Sequence, residues 1–577
     1  MPFNGNDLIQ VVNKKSGFGR FFHCRLMSFL FLTVAWLVPS HFPPWVNFQS
    51  EFFAFLAVGL LACGCLLKQE NTLRVPAAAF VVACIAIAPW MHFATGLVFF
   101  GDAFIASYYL VGFATAIASA YACCQPVKTP FKVEWFASLA IMLLTAALAS
   151  AMIGLLQWLS LTDGLHIWVM HTDPGERILA NLGQPNQLAS LLLLGILALA
   201  VLFEKAQVGR LALLLGTGFM TGALVLTESR TGLVSGAFVA LFLLQKQRGS
   251  LLKIRAGHVL AWMAVFILAS FFLPFTNEAL LMADGRGVAL SDQNGRGKIW
   301  EQTLYAIGQS PWWGYGWNQT PVAQAVGALK YPGSLAYTNA HNLVLDVLVW
   351  VGIPLGLLFT LIGGYWFCSR LVRVKKIPSV YAMAMLLPIA VHSMLEFPFA
   401  YAYFLLTAGL LIGVVEASLI DVNSAALNRG WAWGVLSSLT LVGVYASYEY
   451  ILIEEDYRYA RFENLKVGRT PEEYVVPSIL LHTQLAALLT TLRQPATPGM
   501  NVQDIERLRQ VSLRFGLQPL VYRYALALGL NGNPAAASRQ MRVFRGMFGE
   551  RSYQAAKADM QSMAAASHPE LRAVTLP

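Results

Sequence analysis

The sequence predicts an all-α fold, a polytopic membrane protein of about 12–13 transmembrane helices with a helical C-terminal domain. Three observations predict it. Of 577 residues, 57% are hydrophobic and only 12% are charged, about half the charge that soluble domains carry. Mean hydropathy is +0.57. Apolar runs long enough to cross a bilayer, about 17–25 residues, recur along most of the chain. The same scarcity of charge excludes a disordered chain. The net charge of +10 points first to inward-facing loops rather than to nucleic acid.

Taken in order, the length rule marks thirteen spans: 21–39, 51–67, 75–93, 99–122, 135–159, 187–203, 211–227, 231–245, 257–275, 341–367, 379–395, 399–417 and 431–453. The first follows Lys14, Lys15, Arg20 and Arg25 and lacks a small-residue cleavage site, so it reads as a retained anchor. With residues 1–20 in the cytoplasm, inward-facing segments hold 19 Lys and Arg, among them Lys68, Arg74, Lys128, Lys132, Lys246, Arg370 and Lys376. Outer loops hold six: Arg177, Arg230, Arg286, Arg296, Lys298 and Lys330. That bias is the one expected for alternating loops, and thirteen crossings put the C-terminus outside. The membrane domain is then 21–453, with outer loops at 160–186 and 276–340.

Charge returns in the tail, 454–577, with 15 Lys and Arg and 11 Asp and Glu. Its 517–530 and 535–548 runs have helical periodicity and are joined by Asn531-Gly-Asn-Pro534, a helix stop and start. Such a hairpin resembles a tetratricopeptide unit. Without a 34-residue period, a plain helical domain describes it equally well. All seven cysteines fall within spans or near their inner ends, and they read as small apolar packing residues.

Four outer clusters carry polar groups. Arg177-Ile-Leu-Ala-Asn181-Leu-Gly-Gln184-Pro-Asn186-Gln187 reads alone as a turn before Pro185 with a helix cap at Asn186 and Gln187. Thr227-Glu228-Ser229-Arg230-Thr231-Gly232 reads alone as a charged hairpin. Asn294-Gly-Arg296-Gly-Lys298-Ile-Trp300, followed by Pro311-Trp-Trp-Gly-Tyr315-Gly-Trp317, offers glycines for close backbone approach and aromatic faces suited to sugars or to the membrane interface. Asn339-Ala-His341-Asn342 sets a histidine at the outer mouth of a span. Histidine suits proton abstraction near neutral pH. Arg177, Arg230, Arg296 and Lys298 are four of six outer-loop cations, and guanidinium groups grip phosphate in bidentate fashion. No nucleotide-binding loop and no acidic cluster for a metal accompanies them. Chemistry on the outer face needs an activated substrate, and a lipid-linked diphosphate is the membrane-soluble form.

Together these clusters resemble the O-antigen ligase superfamily (the Wzy/WaaL/PglL group). Gly183-Gln-Pro-Asn-Gln-Leu-Ala189, Ser229-Arg-Thr-Gly232, Arg296-x-x-Ile-Trp300 with Gly314-Tyr-Gly316, and His341-Asn342 occur in that family's order across about 180–365. Pro39-Ser-His41-Phe-Pro-Pro44-Trp45 with Glu51-Phe52, His392-Ser-Met-Leu-Glu396-Phe-Pro398 with Tyr401-Ala-Tyr403, and the appended tail are similar to the protein O-oligosaccharyltransferase branch (PglL/PilO type). Many relatives carry an acidic residue where this chain has Trp350, which leaves open whether a carboxylate orients the histidine.

The resemblance implies an inner-membrane glycosyltransferase that acts on the periplasmic side. It moves an oligosaccharide from undecaprenyl diphosphate to a hydroxyl of a periplasmic or pilin protein, without cofactor or metal. In that scheme His341 is the general base, and Arg230 and Arg296, helped by Arg177 or Lys298, neutralise the departing diphosphate. Attack in line inverts the anomeric centre. Gln184, Asn186, Tyr401 and Tyr403 are candidates for sugar or diphosphate contacts, with Asn342, Trp300 and Tyr315 in support. His392 and Glu396 read better as an interhelical hydrogen-bonded pair. O-antigen ligation to lipid A-core and repeat-unit polymerisation use the same chemistry with other acceptors. A polyprenyl-linked sugar transporter is the reading from a different class.

Overall fold

The computed structural model describes residues 23–68, 72–125, 135–165, 167–173, 175–249, 252–279, 295–333 and 335–576. Residues 1–20, expected to be cytoplasmic, with Lys14, Lys15 and Arg20, the Lys128 and Lys132 expected in an inner loop, and Arg286 and Asn294 lie outside these residues.

Among the described residues each apolar run is largely helical, because backbone in lipid must satisfy its own hydrogen bonds. The helices are α1 His23–Leu37, α2 Phe48–Lys68, α3 Ala77–Ile85, α4 Ala88–Ala94, α5 Phe100–Cys124, α6 Trp135–Trp158, α7 Pro185–Glu204, α8 Arg210–Leu226, α9 Arg230–Lys246, α10 Ala256–Ala279, α11 Arg296–Gln309, α12 Thr320–Lys330, α13 Leu343–Arg373, α14 Ile377–Leu395, α15 Ala402–Ser418, α16 Arg429–Leu465, α17 Thr483–Arg493, α18 Val502–Phe515, α19 Gln518–Leu530 and α20 Pro534–Ala566. Among the described residues nine are long and apolar enough to cross a membrane, counting α3 and α4 as one; α1, α8 and α15 are apolar but shorter. The chain is a multi-pass membrane protein.

Two compact units make up the chain. The first comprises Met1–Ile85, Tyr109–Leu290 and Trp366–Val442. At its centre is α7, whose Leu188, Ala189, Leu191, Leu192, Leu193 and Leu194 are fully buried. A helix apolar all round belongs in a core, and α6, α8, α9 and α14 surround this one. The unit also holds a feature the sequence pattern does not signal. Strand β1 (Thr72–Pro76) pairs antiparallel with β2 (Ser424–Asn428), with Thr72 opposite Asn428.

The second unit comprises Ala86–Tyr108, Ser291–Tyr365 and Gly443–Pro577. Its α11 and α12 lie in the stretch expected to be an outer loop, and α12 packs on α18 and α20 of the tail. Gly546 meets α12 so closely that an added Cβ would lie 2.5 Å from the Ala328 carbonyl oxygen. Arg514 of α18 pairs with Asp102 at 2.8 Å, and that carboxylate is 2% exposed. The two expected tail helices are α19 and the first part of α20, which breaks at Gly549 (φ 79°). They pack through Val521, Ala525, Met541 and Phe544.

Candidate active site

In the first unit, Pro185 opens α7 and Gln184 is its extended N-cap residue, with no side-chain capping bond. The expected cap at Asn186 is therefore replaced. Asn186 lies in the first turn and its Oδ1 accepts from Ser229 Oγ at 2.7 Å, while its amide reaches Glu396 Oε1 at 3.4 Å. Ser229 in turn N-caps α9, accepting from Gly232 N at 2.9 Å. One chain of contacts thus joins three separate sequence motifs. Arg230 is the first residue of α9 and follows Glu228, whose φ of 47° sharpens the turn.

Beside it, Tyr403 donates to Gln187 Oε1 at 2.6 Å, and His392 Nδ1 lies 3.0 Å from Ser190 Oγ. In place of the expected His392–Glu396 pair, His392 meets Ser190 and Glu396 meets Asn186, both on α7. Glu51, 3% exposed, accepts from Ala402 N at 2.6 Å. It caps α15 beside Tyr401, whose ring is 5.6 Å from that of Tyr403. Arg177 Nε donates to Thr227 O at 2.7 Å, so this guanidinium meets the carbonyl end of α8. The His41 ring lies against Gly183 (φ 74°), 3.3 Å from where a Cβ would stand. Its Nδ1 is 3.2 Å from Pro39 O, and burial pushes its pKa below the usual histidine range. Next to the Arg230 turn, a crevice is lined by Leu224, Leu233, Phe266 and Leu273 among its apolar residues, with Glu228, Ser229, Ser270 and Asn277 as polar groups.

In the second unit, Arg296 is the first residue of α11, after Gly295 at φ 64°. Lys298 pairs with Glu301 at 3.3 Å on the surface. Trp300 Nε1 donates to Ala340 O at 3.0 Å. Asp346 Oδ1 accepts from Ala340 N at 2.8 Å and from Thr320 Oγ1 at 2.8 Å. Both backbone groups of Ala340 are therefore held, and His341 follows with φ 54°. A left-handed non-glycine residue persists only where its surroundings enforce it, and such positions cluster at functional sites. Asn342 Oδ1 accepts from Val344 N at 3.0 Å and Leu345 N at 3.1 Å, capping α13.

The Gly314-Tyr315-Gly316 segment has a specific backbone task. Helix α13 is interrupted at Gly352 (φ 78°), followed by Pro354. The interruption removes helical partners from carbonyls before it. Tyr315 N donates to Val349 O at 2.8 Å, Gly316 N to Trp350 O at 3.0 Å, and Ile353 N to Pro311 O at 2.7 Å. A Cβ on Gly314 would sit 2.4 Å from Val349 O, and one on Gly352 2.5 Å from Trp312 O. The close approach expected of these glycines is thus made to α13. The Tyr315 hydroxyl donates to Ala306 O at 2.8 Å, and burial pushes its pKa up to about 12.

The first unit therefore contains Arg177, Gln184, Asn186, Arg230, Tyr401 and Tyr403, and the second contains Arg296, Lys298, Trp300, Tyr315, His341 and Asn342. Sequence reasoning did not select Gln187, Ser229, Thr320 or Asp346. A buried polar side chain in an apolar run was the available signal for Gln187 and Asp346. Ser229 stands in the Ser229-Arg-Thr-Gly232 motif, while Thr320 carries no comparable mark.

Comparison with known proteins completes the description. Residues 215–360 match the O-antigen ligase family, 178–203 the protein glycosylation ligase family, and 380–563 the family described as virulence factor membrane-bound polymerase, C-terminal. The chain is 30% identical over 530 residues to a general O-oligosaccharyltransferase of Acinetobacter baylyi, covering 89% of this chain and 91% of that protein. It is also 30% identical over 257 residues to a ComP-specific O-oligosaccharyltransferase of the same organism, covering 44% of this chain and 46% of the relative.

Proposed function

Since the chain belongs to the O-oligosaccharyltransferase family of glycosyltransferases, we propose that it transfers a preassembled oligosaccharide from undecaprenyl diphosphate to Ser or Thr hydroxyls of periplasmic or pilin-type proteins. The reaction takes place on the periplasmic side of a bacterial inner membrane.

The observation that carries this reading is the placement of Arg230 and Arg296. Each is the first residue of a helix, where the helix dipole favours an anion. A guanidinium at that position adds a bidentate phosphate grip. The crevice beside Arg230 is mostly apolar, which suits the isoprenoid end of the same donor.

In the reaction, His341 takes the proton of the acceptor hydroxyl. The oxygen attacks the anomeric carbon as the bond from that carbon to the diphosphate oxygen breaks, and the electron pair leaves with the diphosphate. Arg230 and Arg296 offset the charge that develops there, and such preorganised stabilisation supplies several kcal/mol. A leaving group held this way needs no general acid. Lys298 adds positive charge, and Gln184, Asn186, Tyr401 and Tyr403 serve the sugar or diphosphate. The match of 178–203 to the protein glycosylation ligase family favours a protein acceptor over lipid A-core.

The purified protein, a polyprenyl-diphosphate oligosaccharide and either a pilin-type protein or lipid A-core provide the test. Glycan should appear on Ser or Thr. Transfer to lipid A-core alone would refute the protein-acceptor reading.

A further inference from the structure

We propose that Asp346 is the positioning residue of His341 and is itself fixed by a hydrogen-bond chain from Trp350 through Thr320. This rests on the reading of His341 as general base. Trp350 Nε1 donates to Thr320 Oγ1 at 2.9 Å. An indole N–H can only donate, and a hydroxyl has one proton to give. Thr320 therefore directs its proton to Asp346 Oδ1, 2.8 Å away. The same oxygen accepts from Ala340 N at 2.8 Å. Asp346 and Thr320 are both fully buried and Trp350 is 4% exposed.

Two donors thus converge on Oδ1, while Oδ2 is buried with no hydrogen-bond partner among the described residues. Leaving a buried carboxylate oxygen without a partner costs free energy, and such an atom in a native fold requires an explanation. The explanation lies in its neighbour, because Asp346 is within electrostatic reach of His341. When His341 takes the acceptor proton, the imidazolium forms within electrostatic reach of Asp346. Asp346 holds the His341 turn through Ala340, and its carboxylate form stabilises the imidazolium. The acidic first turn of α13 also matches the helix dipole. Trp350 acts on the carboxylate one step removed, through Thr320.

Asp346→Asn tests this, since it keeps the shape and an acceptor oxygen for Ala340 and Thr320 but removes the charge. The titratable groups that act with Asp346 are His341 and Tyr337. Burial holds Tyr337 well above the usual tyrosine range, so it stays neutral throughout the assay. The expected result is a fall in kcat of about 10–100-fold, the scale of a misplaced catalytic group, with KM for donor and acceptor unchanged. The limb of the pH–rate profile set by the base should move to lower pH, because loss of the anion disfavours imidazolium. A merely structural role would lower thermal stability and leave that limb in place. If Asp346→Asn does not fold, Thr320→Val, which strips one donor from the carboxylate, should lower kcat at unchanged KM, and Thr320→Ser should restore it. Wild-type kcat and pH profile in Asp346→Asn, or wild-type kcat in Thr320→Val, with His341→Ala inactive, overturns the positioning role. Full activity of His341→Ala overturns the underlying base reading instead.

Discussion

Ser229 Oγ donates to Asn186 Oδ1 at 2.7 Å, linking the start of α9 to the first turn of α7. The hydroxyl also accepts from Gly232 N at 2.9 Å, so a single atom fixes both the helix start and its neighbour. Ser229→Ala should cost about 0.5–2 kcal/mol for the lost cap, and more for the stranded amide oxygen of Asn186. Thermal unfolding in detergent measures the loss. Ser229→Thr, which keeps the hydroxyl, should lie close to wild type.

Arg177 and Arg230, both in the first unit, should separate by phenotype. Arg177 Nε is committed to the Thr227 carbonyl, a charged hydrogen bond worth about 1.5–3 kcal/mol. Arg177→Ala should therefore lower stability and leave the donor KM nearly unchanged. Arg230→Ala should raise the donor KM about 10–100-fold, the kinetic equivalent of one or more charged hydrogen bonds. Arg230→Lys should recover part of that, keeping the charge but losing the fork. Equal KM effects at 177 and 230 would contradict this division.

The Gly314–Gly352 approach gives a steric test. Gly314→Ala would place a Cβ 2.4 Å from Val349 O at φ 68°, and overpacking alone costs about 1–3 kcal/mol. Gly308 of α11 has nothing within 4 Å of its added Cβ. Gly308→Ala should be neutral or stabilising by up to about 1 kcal/mol. Opposite signs in one thermal-shift series are the expected outcome.

His41 supplies a pH test. Burial depresses its folded pKa, so the unfolded chain binds the proton more readily. Stability should be fully present above about pH 6.5, the ordinary histidine value, and fall as pH drops from there towards the lower folded pKa. In His41→Gln that part of the slope should vanish. An unchanged slope between pH 7 and 5 would show that other groups control it.

Much of this architecture is legible in the sequence because lipid enforces it. Among the described residues nine of the thirteen expected spans fall on helices long and apolar enough to cross a membrane and three on shorter apolar helices, since a helix satisfies its own backbone in a bilayer core. What depends on partners distant in sequence is not legible. β1 and β2 pair across the span from Thr72 to Asn428, with nothing in either pentapeptide to mark them. Gly314 and Tyr315 read as a platform for a ligand until the interruption at Gly352 is seen to need their backbone. The motifs of the candidate site stand out as rare outer cations and a histidine. Asp346 lies five residues after His341, yet only its contacts with Ala340 and Thr320 show why a carboxylate is there.

The account stands or falls on His341. The direct measurement is single-turnover transfer from a polyprenyl-diphosphate oligosaccharide to a pilin-type acceptor, comparing wild type with His341→Ala at matched folding and donor affinity. Loss of the base should slow the chemical step by about 10²–10⁴-fold, with partial recovery on adding imidazole. An unchanged single-turnover rate would remove His341 from the chemistry.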